Sequence, residues 1–245
     1  MSRIRADLLL LERGLADSRE SARRLIMAGR AKVGTVTLVK PATLLDESAQ
    51  IELMGVEPYV SRGGQKLEAA LEAFAIDVNG RRCLDLGAST GGFTDCLLQH
   101  GAVSVIAVDV GRAQLHQKLR DDPRVTLIEG TNARDLPELP KLDFFVADLS
   151  FISLRKVLPS VARRVPEHTD GVVLLKPQFE AGPASVPRGG VIRDPVVHTR
   201  VRDEFVEWVT AQGWQVFGVI ESPLKGGDGN LEFLVHLVTP AGKEF

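Results

Sequence analysis

From about residue 80 onward, short apolar runs alternate with helix-length segments, and this alternation restricts the fold more than any other feature of the chain. Strands are expected at 82–86, 103–109, 124–128, 142–147, 171–175, 214–220 and 232–237, with helices near 92–100, 112–120, 153–165 and 198–212. Such a pattern predicts an α/β fold, a doubly wound seven-stranded sheet with ligands at the C-terminal ends of its strands. The last two strands are joined by a loop with no helix-length segment. They are therefore expected to pair antiparallel.

The chain has 245 residues, room for one medium domain and a small one. Residues 6–13 and 19–28 have helical apolar spacing, through Leu8, Leu9, Leu11 and Leu15, then Ala22, Leu25, Ile26 and Ala28. Gly14 suits a C-cap, Ser18 an N-cap, and Gly29 the end of the second helix. Short strands are expected near 31–33, 37–39 and 50–53. We therefore expect a small α+β domain over 1–57, an exposed connector over 58–64, and a second domain over 65–245. The connector holds Pro58 and ends in Gly63-Gly64, before a helix expected at 65–74.

Net charge is −2, which does not mark the whole molecule as a nucleic-acid binder. Its distribution is uneven: residues 1–45 carry nine Lys or Arg against four Asp or Glu. A local basic patch matters more than the total for attracting phosphate. Cys83 and Cys96, the two cysteines, read as buried small hydrophobes, which fits a reducing cytoplasm. No cysteine or histidine spacing suggests a metal site. Apolar runs fall short of the ~18 residues of a membrane helix, and the N-terminus lacks a signal-peptide pattern. No membrane partner is expected. The oligomeric state is not encoded legibly, and a monomer is the default.

The run Asp85-Leu86-Gly87-Ala88-Ser89-Thr90-Gly91-Gly92-Phe93-Thr94 reads as strand, tight turn and helix. Glycines there let a ligand press against bare backbone beside the N–H groups of a helix start. The spacing of Gly87, Gly91 and Gly92 is wrong for a dinucleotide turn, and Phe93 follows where a P-loop needs lysine. Asp85 would repel a pyrophosphate but attract the amino group of an amino-acid moiety. Asp109 ends the next strand, where a carboxylate commonly accepts ribose hydroxyls. The ligand is thus nucleoside-like, carries a cationic amino acid and lacks phosphates, and S-adenosylmethionine fits all three. Its candidate contacts are Asp85, Gly87, Ser89, Gly91, Gly92, Phe93 and Asp109, with Asn132 or Asp135 for the adenine.

Four charged residues narrow the chemistry. Asp148 and Lys176 close apolar strands, Glu232 opens the last one, and Lys66 sits in the helix before the first. An antiparallel last strand would bring Glu232 to the same sheet edge as the other two. Charges beside apolar strands are costly unless paired, and two lysines with two carboxylates supply that pairing.

The N-terminal run Arg5-Ala6-Asp7-Leu8-Leu9, Arg13-Gly14-Leu15, Ser18-Arg19, Ala22, Leu25-Ile26, Gly29, Val33 and Lys40-Pro41 resembles the S-four RNA-binding domain, first described in a ribosomal protein. That resemblance implies RNA contacts from Arg5, Arg19, Arg23, Arg24, Arg30 and Lys32. Arg30 lies past Gly29 and joins the helix face only if the loop folds back. The four charged residues resemble the Lys-Asp-Lys-Glu tetrad of FtsJ-like ribose 2′-O-methyltransferases. Together with Ser61-Arg62-Gly63-Gly64-Gln65-Lys66-Leu67, Ala147-Asp148-Leu149-Ser150-Phe151-Ile152-Ser153, Leu175-Lys176-Pro177-Gln178-Phe179-Glu180 and Gly226-Gly227-Asp228-Gly229-Asn230-Leu231-Glu232, they resemble the TlyA family.

The TlyA resemblance implies a Rossmann-like S-adenosylmethionine-dependent methyltransferase domain behind the RNA-binding domain. The implied acceptor is a cytidine 2′-hydroxyl in ribosomal RNA or ribosomal subunits. Lys176 would orient that hydroxyl and stabilise its alkoxide or accept its proton. Asp148 and Glu232 would hold Lys176 and Lys66, and which lysine is the base is left open. Arg62 and Arg188 are further RNA candidates, the loop 181–194 is expected to close over the substrate, and Asn230 would fix either the nucleotide or that loop. Phe151 and Phe179 are candidates for stacking on a flipped base, against their commoner use in a core. Three other functions stand beside this one, among them an RNA-binding or assembly factor with an inactive enzyme domain, against which the intact tetrad argues. A base methyltransferase would usually show an Asn/Asp-Pro-Pro-Tyr-like segment where Asp148-Leu149-Ser150-Phe151 stands, and a haemolysin-like membrane protein would need a spanning or lytic helix.

Overall fold

A computed structural model describes residues 3–16, 18–55, 57–182 and 185–242. Its contacts divide the chain into Met1–Glu57 and Pro58–Phe245. In the first unit, helices α1 (Ala6–Glu12) and α2 (Arg19–Met27) bury Leu9, Leu10, Ala22 and Ile26 against Ala31. The Ser18 side chain accepts the Ser21 N–H at 3.1 Å, capping α2. Gly14 and Gly29 follow the helices at φ +67° and +68°. The N–H of Leu15 then bonds to Leu10 O and that of Arg30 to Leu25 O, the helix closure that left-handed glycine permits.

Strand β2 (Ala31–Val33) lies between β3 (Val36–Leu38) and β5 (Ile51–Leu53), antiparallel to both. Strands β1 (Arg3–Arg5) and β4 (Leu44–Asp46) pair separately. Neither was expected.

In the second unit, the strands are β6 (Arg82–Leu86), β7 (Ser104–Asp109), β8 (Val125–Glu129), β9 (Phe144–Ala147), β10 (Asp170–Leu175), β11 (Gln215–Glu221) and β12 (Phe233–Val238). Among the described residues they form one sheet in the order β11-β12-β10-β9-β6-β7-β8. The pairs of β6 with β7 and β9, of β7 with β8, and of β10 with β9 are parallel. As expected, β12 runs antiparallel to β10 and β11.

Alternation sorts the sheet's side chains onto two buried faces. Cys83, Val105, Phe144 and Leu174 face one way, under α3 (Gly63–Ala73) and α4 (Gly92–Gln99). Leu84, Leu86, Phe145 and Val173 face the other, under α6 (Leu158–Arg164) and α8 (Pro195–Ala211).

Three expectations change. The helix foreseen at 112–120 shrinks to α5 (Gln117–Arg120). Ala113 is left-handed at φ +56°, and the N–H groups of Gly111 and Ala113 go to the carboxylates of Asp109 and Glu129 instead of a helix ladder. The helix at 153–165 divides into a 3-10 turn at Leu154–Lys156, capped by Ser153, and α6. Its Pro159 suits a first turn and not an interior. The connector at 58–64 is not a free linker. Tyr59 is 5% exposed, Val60 N donates to Asp95 Oδ2 at 2.9 Å, and Gln99 bonds to Pro58 O.

Candidate active site

Strand order reverses at β6, whose neighbours are β7 on one side and β9 on the other. Ligands of open α/β sheets bind where the strands diverge in this way. Here that point is Gly87 after β6 and Asp148 after β9. Gly87 has φ +83°, and a Cβ on it would stand 2.3 Å from Asp148 O. Only glycine lets the two strand ends meet.

A cleft of about 930 Å³ opens there, with Gly87, Ser89, Asp109, Asn132, Asp148 and Phe151 in its walls. Its size suits a nucleoside carrying an amino-acid arm. Asp109 accepts the N–H groups of Ser89 at 2.7 Å and Gly111 at 2.6 Å, which fixes its carboxylate at the end of β7. Asn132 Oδ1 accepts from Arg134 N and Nε, holding the turn it belongs to. Asp135 is exposed. The bare Gly87 backbone, the Asp109 carboxylate fixed by the Ser89 and Gly111 N–H groups and the Asn132 amide, all in the lining of one cleft, together fit S-adenosylmethionine.

A smaller cavity of about 250 Å³ adjoins it and shares Gly87, Ser89, Asp148 and Ser150. Lys66, Lys176 and Arg62 line it, with Gly92 and Phe93. Lys66 is brought there by the starts of α3 and α4. A Cβ on Gly92 would meet Ser61 Oγ at 2.2 Å and Gly64 N at 2.9 Å, so the two helix starts touch through bare backbone. The antiparallel strand places the fourth charge. Leu175 pairs with Phe233, which sets Glu232 beside Lys176 at the sheet edge.

Lys66 Nζ lies 2.5 Å from Glu232 Oε2, and Lys176 Nζ lies 2.6 Å from Asp148 Oδ1 and 3.0 Å from Ser150 Oγ. All four sequence-selected charges therefore meet, as two ion pairs. Asp148 Oδ1 has no aligned hydrogen bond among the described residues, so its approach to Lys176 is a charge contact alone.

Several sequence expectations need correction. Asp85 lines neither cavity among the described residues. It is fully buried, its Oδ2 accepts Thr94 Oγ1 at 2.6 Å, and its Oδ1 has no partner among those residues. Burial pushes its carboxyl up to about 7. Asp85 thus braces the turn from beneath. Gly91 (φ +98°) faces Leu119 and Leu115, and takes part in packing. Asn230 is buried: Oδ1 accepts Ile192 N and Nδ2 donates to Gly190 O, both at 3.0 Å. It anchors the 188–194 loop, the second of the two roles expected of it, and offers nothing to RNA. Of the loop expected to close over substrate, Pro183 and Ala184 lie outside the described residues.

Phe151 is not a core residue. It is 92% exposed, left-handed at φ +64°, and its ring centroid lies 5.4 Å from that of half-buried Phe179. Residues not foreseen include Ser150, which bonds Lys176, and Glu180, which bonds Ser153 and Leu154. Both stood in the motif segments, but spacing alone gave them no role.

The basic candidates separate. Arg23 and Arg24 are exposed on α2, Arg62 is exposed beside the smaller cavity, and Arg188 is exposed. Arg5 and Arg19 are both held by Asp7, at 2.9 and 3.1 Å, and chiefly the Arg5 bonds pull that buried carboxyl down to about 2. Arg30 does not fold back onto the helix. It bonds to Gly55 O at 2.7 Å. Lys32 is paired with Glu52 at 2.8 Å.

The FtsJ-like methyltransferase family matches residues 59–239. The 16S/23S rRNA (cytidine-2′-O)-methyltransferase TlyA of Mycobacterium tuberculosis is 48% identical over 242 residues, covering 97% of this chain and 90% of that protein. Hemolysin A of Brachyspira hyodysenteriae is 40% identical, covering 96% of this chain and all of that protein. A solved candidate hemolysin from Streptococcus thermophilus superposes with a TM-score of 0.74 at 40% identity, covering 99% of this chain and 90% of that one.

Proposed function

This chain belongs to the FtsJ-like methyltransferase family, and from that premise we propose that it methylates the 2′-hydroxyl of cytidine in ribosomal RNA. It is an S-adenosylmethionine-dependent enzyme, as its family membership shows. The carrying observation is the pair of ion pairs, Lys66–Glu232 and Lys176–Asp148, around the smaller cavity where that cavity opens into the cleft.

When bound, S-adenosylmethionine supplies an electrophilic sulfonium methyl. Gly87, Ser89, Asp109 and Asn132 would hold it in the larger cleft. The smaller cavity is left for the acceptor ribose. An ammonium in that cavity attracts a ribose hydroxyl and stabilises the oxyanion that develops as the oxygen takes the methyl and its proton passes to solvent water. Lys176 lines the cavity, with Ser150 and Asp148 fixing it, and takes this role. Lys66 adds a second positive charge, held by Glu232. Because both lysines are paired, neither is left as an uncompensated buried charge. The remaining contribution is positioning, which for a two-substrate transfer is a large part of the rate. Phe151 offers an exposed ring face on which an unstacked base can rest.

The N-terminal unit is assigned to RNA binding through Arg23 and Arg24 and through the Arg5 and Arg19 guanidiniums that Asp7 fixes. Among the described residues no helix is long and apolar enough to cross a membrane, so the haemolysin reading has no spanning segment there to act through.

The test is to incubate the protein with labelled S-adenosylmethionine and ribosomal subunits, then map alkali-resistant linkages. Label at a ribose 2′-oxygen, lost in Lys176→Ala, is the expected result. Label found only on a base would overturn the ribose assignment.

A further inference from the structure

Two chain segments build the acceptor side of the site. One follows β9 and carries Asp148, Ser150 and Phe151. The other follows β10 and carries Lys176 and Phe179 in α7 (Pro177–Glu180) and the residue before it. The sheet places Asp148, whose N–H bonds to Leu86 O at 2.9 Å, and Lys176, which continues β10, but Ser150, Phe151 and Phe179 lie beyond the strands, so something else must set the spacing there.

Glu180, the last residue of α7, reaches across to the first segment. Its carboxylate accepts the Ser153 hydroxyl at 2.7 Å through Oε2 and the Leu154 N–H at 2.6 Å through Oε1. Arg155 Nε stands 3.9 Å away, and the Glu180 side chain is 2% exposed. Desolvation pushes its carboxyl above the usual range, while these bonds oppose that push. A buried carboxylate is costly, and its bonds bridge two loops instead of closing within one.

The bridge lands two and three residues beyond Phe151, whose backbone is left-handed at φ +64° with its ring 92% exposed. An aromatic residue holds such a conformation only when its surroundings over-determine it. The ring receives little from packing, so the constraint must come along the chain. On one side it comes from Ser150 Oγ against Lys176 Nζ, and on the other from Ser153 and Leu154 against Glu180.

We propose that Glu180 is a positioning residue of the acceptor site, holding the Phe151 segment against the Lys176 segment without itself touching substrate. This rests on the ribose methyltransferase reading above. It adds a residue for which the charged tetrad gives no role.

The test compares wild type, Glu180→Gln and Ser153→Ala in three measurements: methyl transfer to ribosomal subunits, S-adenosylmethionine affinity by calorimetry, and hydrogen exchange over 148–156. In Glu180→Gln, transfer falls about tenfold or more, as the loss of one positioning contact in a transfer reaction can produce. Cofactor affinity stays within about twofold, and exchange quickens in that segment alone. Ser153→Ala, which keeps Glu180 and its bond to Leu154, gives a smaller loss of the same kind. Unchanged transfer in Glu180→Gln overturns the proposal. So does a loss of cofactor affinity in step with transfer, which would make Glu180 a general support of the fold. If wild type labels a base, the ribose reading fails. The ratio between variant and wild type and the exchange data then still decide for or against Glu180.

Discussion

Asp7 and Asp85 are both fully buried carboxylates, and their surroundings move them in opposite directions. Asp7 has two guanidiniums and falls to about 2, whereas Asp85 has the Thr94 hydroxyl and rises to about 7. Asp85 therefore binds a proton more tightly in the folded chain than in the unfolded one, where its ordinary value is 3.8. Stability from this group is fully present below about pH 4 and is lost as pH rises toward 7, since the folded state then holds more protons than the unfolded state. Asparagine at this position cannot titrate. We expect the melting temperature of wild type minus that of Asp85→Asn to fall steadily between pH 4 and 7, then to level off. A flat or rising difference across that window would count against a protonated Asp85. The same residue shows a limit of sequence reading. A carboxylate at a strand end beside a glycine turn suggests a ligand contact. The period-2 alternation of β6 decides otherwise, because it puts Asp85 on the face of Cys83, toward α4 and Thr94 and away from the cleft.

Among the elements, β12 shows what was legible and the 188–194 loop what was not. The absence of a helix between the last two strands is visible in the sequence, and it forces an antiparallel return that delivers Glu232 to Lys66. Helix 112–120 has an acceptable composition, yet Glu129 captures the Ala113 N–H from β8. Tertiary competition of this kind leaves no local mark. Asn230 after Gly229 is open on sequence to two roles, fixing a nucleotide or fixing the loop. Its amide takes the second, satisfying a buried N–H and a carbonyl of the loop that precedes α8. Removing it strands both partners, and an unsatisfied buried group costs about 1–3 kcal/mol. Asn230→Ala is therefore expected to lose about that much stability in denaturant titration and to be cut faster by trypsin after Arg188. The same protease pattern as wild type would mean that the loop is held by other contacts.

At the scale of the whole molecule, a net charge of −2 conceals an excess of cations over residues 1–45, and the structure sorts those cations by availability. Lys32 is neutralised by Glu52, and Arg30 is engaged with a backbone carbonyl, so a count of basic residues overstates the patch. Arg5 and Arg19 keep a net positive charge between them, since one buried Asp7 faces two guanidiniums. Arg23 and Arg24 stand exposed on α2. The motif spacing made the face of the helix legible, but ion pairs formed with residues far along the chain were not. Counterion release ties each phosphate contact to the salt dependence of binding, by about 0.7 to 0.9 in the slope of log affinity against log salt. If Arg23 and Arg24 each meet a phosphate, replacing both with alanine should lower that slope by about 1.4 to 1.8 for ribosomal RNA. S-adenosylmethionine affinity should stay as in wild type, because the cleft belongs to the other unit. Lys32→Ala, measured in parallel, should change the slope by much less, because its charge is already met by Glu52. A slope unchanged in the double arginine variant, or changed equally by Lys32→Ala, would place the RNA contact away from the α2 face.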